Sequence, residues 1–160
     1  MTKLELLEQE AADSGARVDR IAFRSDRLKG LYCDGNIAIS TALKTSAEQA
    51  GVLAEEIGHH LTSCGDITST TSAASRQQEL VARQWAYDRL VGLDGLIRAY
   101  KRGCQNLYEA ARELDVTEGF LKEALERYRQ RYGRSVRCGD WIIIFEPSLA
   151  VVRIFEKCAP

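Results

Sequence analysis

The sequence predicts an α+β fold, in which a small antiparallel sheet and a capped helix precede a helical segment ending in a β-hairpin. Three observations carry this prediction. Residues 29–33 and 37–40 are strand-like runs flanking Asp34-Gly35-Asn36, a turn sequence that favours a hairpin. Thr45 and Glu48 form a capping box ahead of Ala50, Leu53, Ala54, Ile57 and Leu61, which recur at helical spacing. The 160 residues, 45% hydrophobic with two prolines, suit one compact core.

The elements follow in order. Leu4, Leu6, Leu7 and Ala11 indicate an opening helix that stops near Gly15, and residues 18–23 alternate as a strand. After the hairpin and the capped helix, residues 62–72 are rich in Ser and Thr and read as a loop. Ser75 and Gln78 then suggest a cap for a helix over 76–91, with Ala82, Trp85, Ala86 and Leu90 on its apolar face. Gly92 and Gly95 mark a hinge, dividing the chain into a core at 1–92 and a module at 93–160. Within that module, residues 96–102, 106–114 and 117–131 read as helices, and 135–146 with 149–157 as a hairpin turning at Pro147-Ser148.

Charge excludes some function classes. The net charge of −1 argues against binding nucleic acid or a membrane through overall charge. Residues 1–94 hold 10 basic and 14 acidic groups, net −4, and residues 95–160 hold 12 and 9, net +3. The longest purely apolar run is 141–145, far short of a membrane span, and the N-terminal stretch lacks the apolar centre of a signal peptide. Cysteines 33, 64, 104, 138 and 158 form no C-x-x-C pair, so reduced thiols and a cytoplasmic location are expected.

Both histidines of the chain, His59 and His60, lie on the capped helix, in Glu55-Glu56-Ile57-Gly58-His59-His60. In an H-E-x-x-H motif, two ligands one turn apart bind a metal and the intervening Glu is the general base. Here Glu55 stands in the first ligand position, Glu56 is the candidate base and His59 the second ligand. The alternative register, Glu56 to His60, would place Ile57 at the base position. Glu79, 20 residues after His59, is the candidate third ligand, in register with the small residues Ala82 and Ala86. A solvated acidic face is the other reading of the Glu pair. His60 projects about 100° away from His59 around the helix and is a candidate only for supporting a ligand from behind. Cys64 reads as a loop thiol. Two carboxylate ligands suit zinc but also let manganese or another divalent metal compete. Ile37, Ala38 and Ile39 are candidates for an edge strand that accepts an extended substrate.

Residues 53–62 (Leu-Ala-Glu-Glu-Ile-Gly-His-His-Leu-Thr) resemble the phage and mobile-element branch of the ImmA/IrrE metalloendopeptidases. The likeness continues through 79–87 (Glu-Leu-Val-Ala-Arg-Gln-Trp-Ala-Tyr) and the 29–37 hairpin, in the family's order of elements. The departure is Glu55 where the motif's first His would stand. The resemblance implies a zincin-like core, a bound zinc, and cleavage of a repressor-like transcription regulator of a prophage or mobile element.

Residues 106–125 resemble a helix-turn-helix, followed by Arg127, Arg129, Arg131, Arg134 and Arg137 with Tyr128 and Tyr132 interleaved. Glu118, Glu123 and Glu126 on the second helix oppose phosphate contact, so DNA binding is possible but not favoured. The sequence therefore points first to a narrow-specificity metalloendopeptidase. A non-catalytic anti-repressor and a helix-turn-helix DNA binder are the alternatives.

Overall fold

The computed structural model describes residues 1–62 and 72–155. Helix α1 (Lys3–Asp13) leads into β1 (Arg17–Ile21), β2 (Gly30–Cys33) and β3 (Asn36–Ser40), followed by α2 (Ser46–Thr62) and α3 (Ser72–Leu90). Then come α4 (Gly92–Lys101), α5 (Leu107–Leu114), α6 (Glu118–Tyr132) and the strands β4 (Ser135–Cys138), β5 (Trp141–Ile144) and β6 (Ala150–Arg153). The class is α+β. No helix among the described residues is long and apolar enough to cross a membrane.

Local signals act where expected. Asp34 and Gly35 both adopt positive φ, 47° and 77°, which a two-residue hairpin turn requires. The Thr45 hydroxyl accepts from the Glu48 amide at 3.1 Å, and the Glu48 carboxylate accepts from the Thr45 amide at 3.2 Å, closing the capping box of α2.

Strand order departs from expectation. The first sheet is mixed, in the order β1-β3-β2: β3 pairs antiparallel with β2 but parallel with β1. Apolar content decides the order. Ile37 and Ile39 of β3 are 1% and 0% exposed and take the centre, whereas β1, with Arg17, Asp19 and Arg20, is left on the rim. The C-terminal strands form a three-stranded meander β4-β5-β6 rather than one hairpin, because the chain also turns at Gly139-Asp140. Helix α3 starts at Ser72, so Ser75 and Gln78 lie inside it; Ala73 and Ala74, strong helix formers, extend the helix backward. Leu61 is exposed because it lies in the last turn of α2, past the last buried residue, Gly58. Of the loop expected at 62–72, Thr62 ends α2 and Ser72 opens α3, and residues 63–71, with Cys64, lie outside the described residues, as does the end of the 149–157 strand.

Most buried apolar side chains form one cluster, from Leu7 on α1 through Leu53 and Ile57 on α2 to Leu114, Tyr128, Ile143 and Val151. Polar contacts cross it as well. The Lys3 ammonium donates to the carbonyls of Leu90 and Leu114, at the ends of α3 and α5, so one cation closes two helix C-termini. The fully buried Tyr128 of α6 accepts from the Gly92 amide at 3.1 Å, fixing the α3–α4 junction against α6.

Candidate metal centre

The site is built where α2 lies against α3. A Cβ placed on Gly58 would sit 2.4 Å from the Ala82 carbonyl oxygen, so only glycine permits this approach. Ala82 and Ala86, 0% and 1% exposed, supply the matching small surface on α3. Glu55 and His59, one turn apart on α2, thereby meet Glu79 in the first half of α3. One donor atom from each of these three residues lies within 4.8 Å of the other two. His59 Nε2 is 3.0 Å from Glu79 Oε2. The three predicted ligands are brought together, and the group could hold a metal ion.

The electrostatics are those of crowded carboxyls. Burial, then a hydrogen bond with Glu79, pushes the Glu55 carboxyl up to about 7, against the pull of Arg83. Burial raises Glu79 too, but the Glu55 hydrogen bond and the charges of His59 and Arg83 outweigh it and hold Glu79 below the usual range. Glu56, 9% exposed, is pushed up to about 7 by burial and by the neighbouring charges of Glu55 and Glu79. Two carboxyls sharing a hydrogen bond beside an imidazole have the donor types that a divalent cation takes.

Glu56 lies under β2. A Cβ on Gly30 would come within 2.7 Å of both Glu56 Oε1 and Val52 Cγ1, so this glycine lets the strand rest on the helix. Glu55, Glu56, His59 and Glu79 share a cleft of about 610 Å³ with Leu28 and Gly30.

Two site expectations are corrected. Ile37, Ala38 and Ile39 belong to the central strand β3 and cannot be a substrate edge; the edge facing the cleft is β2. The Lys29 carbonyl accepts from the Ser40 amide, and alternation along the antiparallel pair then turns the backbone groups of Gly30 and Tyr32 outward. His60 does not support the ligands. Its Nδ1 lies 3.1 Å from the Tyr32 hydroxyl and its Nε2 3.0 Å from the Ser14 carbonyl, and Tyr32 accepts from the Gly35 amide at 3.2 Å. It ties the hairpin to the end of α1.

Sequence reasoning missed Arg83. Its Nε lies 2.9 Å from Glu79 Oε1 and 3.3 Å from Glu55 Oε1, bridging the two carboxylates. The signal was present: Arg83 follows Glu79 by four residues, one turn along the same helix face.

The basic C-terminal residues are engaged internally. Arg129 pairs with Glu126 at 2.6 Å and Glu146 at 3.0 Å, Arg131 with Asp88 at 3.5 Å, and Arg134 with Glu146 at 3.6 Å. Arg127 donates to Gln84, and Arg137 to the Gly139 carbonyl. Tyr128 and Tyr132 pack with Phe145 in a cluster of rings.

Comparison with protein-family models and with curated proteins finds no match to this chain.

Proposed function

We propose that the protein is a metal-dependent endopeptidase of narrow specificity with a zincin-like core. The observation that carries this reading is the meeting of Glu55, His59 and Glu79 beside the buried Glu56, in a cleft bordered by an edge strand. Glu55, His59 and Glu79 would hold the ion, zinc or another divalent metal such as manganese. When bound, it supplies Lewis-acid polarisation of a water and of the scissile carbonyl. Glu56 accepts the proton of the attacking water and delivers it to the leaving amine. Its burial, which favours the protonated form, and its place beside the three donors suit both transfers. The outward backbone groups of Gly30 and Tyr32 pair with an extended substrate and lay it along the cleft above Glu56.

A repressor-like transcription regulator of a prophage or mobile element is the proposed substrate, on the resemblance of residues 53–62 and 79–87. In this reading α5 and α6 complete the fold or dock that protein. Internal pairing of the arginines weighs against duplex DNA as their partner.

Glu56→Gln tests the catalytic claim. The variant is expected to keep its metal and lose about 10²–10⁴-fold of cleavage rate. Relief of repression by Glu56→Gln at the natural level, with the partner uncut, would instead establish a non-catalytic anti-repressor.

A further inference from the structure

The arrangement of Arg83 around the carboxylates distinguishes their oxygens. Its Nε–H donates to Oε1 of Glu55 at 3.3 Å and Nε lies 2.9 Å from Oε1 of Glu79, while His59 faces the other oxygen of Glu79, Oε2. We propose that Arg83 is the positioning residue that sets the metal selectivity of this centre. By occupying one oxygen of each carboxylate it leaves each with a single oxygen to offer, so the protein presents three donor atoms rather than five. The inference rests on the metal-centre reading of the same residues.

The chemistry follows from ligand number. Zinc is satisfied by three protein donors and a solvent position. Hard ions such as manganese favour oxygen ligands and higher coordination, which carboxylates provide by binding through both oxygens. A site with two carboxylates and one imidazole would by composition favour harder ions, and Arg83 opposes that tendency. An arginine suits the task, since it stays charged at any working pH and hydrogen-bonds carboxylate oxygens directionally. Its place is set by α3, one turn beyond Glu79. The side chain is 48% exposed, so its removal leaves no buried hole.

The test is titration of the metal-free protein with Zn²⁺, Mn²⁺ and Co²⁺ against a chromophoric chelator, for wild type, Arg83→Ala and Arg83→Lys. Arg83→Ala is expected to lose about tenfold or more of its preference for zinc over manganese. Its Co²⁺ form should also absorb visible light more weakly than the wild type's, as the ion gains ligands. Arg83→Lys, which keeps a charged donor, should lie nearer to the wild type on both readouts. An Arg83→Ala protein with unchanged or increased zinc preference and an unchanged cobalt spectrum would overturn the proposal. A wild-type chain that binds none of the three ions would overturn the metal-centre reading itself, and the proposal with it. Should Arg83→Ala fail to fold, judged by far-ultraviolet circular dichroism, Arg83→Gln takes its place in the comparison.

Discussion

At Glu56, burial and two neighbouring carboxyls act on one titration. In the metal-free protein its folded value of about 7 stands above the ordinary 4.5, so between these values the folded chain binds more protons than the unfolded one. Its contribution to stability is therefore lost as pH rises through that window, by up to roughly 3 kcal/mol. Glu56→Gln removes the effect. Denaturant midpoints of the two metal-free proteins should diverge between about pH 5 and about pH 8 in favour of the variant. Parallel curves would mean that Glu56 is not ionising in a desolvated place. Gly58 is a second decisive residue: with the Ala82 carbonyl 2.4 Å from an added Cβ, Gly58→Ala must push α2 from α3. A loss of about 1–3 kcal/mol is expected, measured by urea unfolding, together with weaker metal binding. In the sequence Glu55, Glu56 and His59 were legible through helical spacing, and Glu79 through its distance of 20 residues from His59. The need for glycine at 58 was not, because the atom it avoids is 24 positions away.

Among the elements, α2 and the β2–β3 hairpin were legible, since a capping box and a two-residue turn act over three or four residues. What each element packs against was not. His60 shares its helix with the ligands, yet its ring nitrogens meet Tyr32 on β2 and Ser14 after α1. His60→Ala should cost about 1–3 kcal/mol in thermal unfolding while leaving metal affinity within error of the wild type. A large fall in affinity would restore it to the centre. The substrate edge was misplaced for a similar reason: the run containing Ile37 and Ile39 reads plainly as a strand, but its strong apolar character draws it to the middle of the sheet.

Over the whole molecule, one buried cluster joins residues on both sides of the expected boundary at 92–93. Lys3 adds a polar tie, meeting α3 at Leu90 and α5 at Leu114. The two tryptophans, Trp85 on α3 and Trp141 on β5, report on the two sides. Single-tryptophan variants, Trp85→Phe and Trp141→Phe, should therefore give coincident urea transitions, as cooperative unfolding requires. Separate midpoints would show independent units. The charge asymmetry of the sequence, −4 against +3, also has its reading at this scale. Glu55 and Glu79 of the first part meet His59 in the group that could hold a metal ion, Arg131 of the second part pairs with Asp88 of the first, and Arg129 and Arg134 face Glu126 and Glu146 of their own part. No salt-sensitive band shift with duplex DNA is expected at low salt; a clear shift weakened by Arg129→Ala would reverse that assignment.

The sequence by itself determined the elements with strong local signals and the spacing that sets Glu55, Glu56 and His59 along one helix. These depend on turn chemistry and on the 3.6-residue period, which fix neighbours only a few positions apart. Tertiary structure alone decided the strand order, the structural place of His60, the internal pairing of the arginines and the bridge made by Arg83. Each of these turns on which distant surfaces meet, and that choice is made by the burial of apolar side chains from the whole chain together.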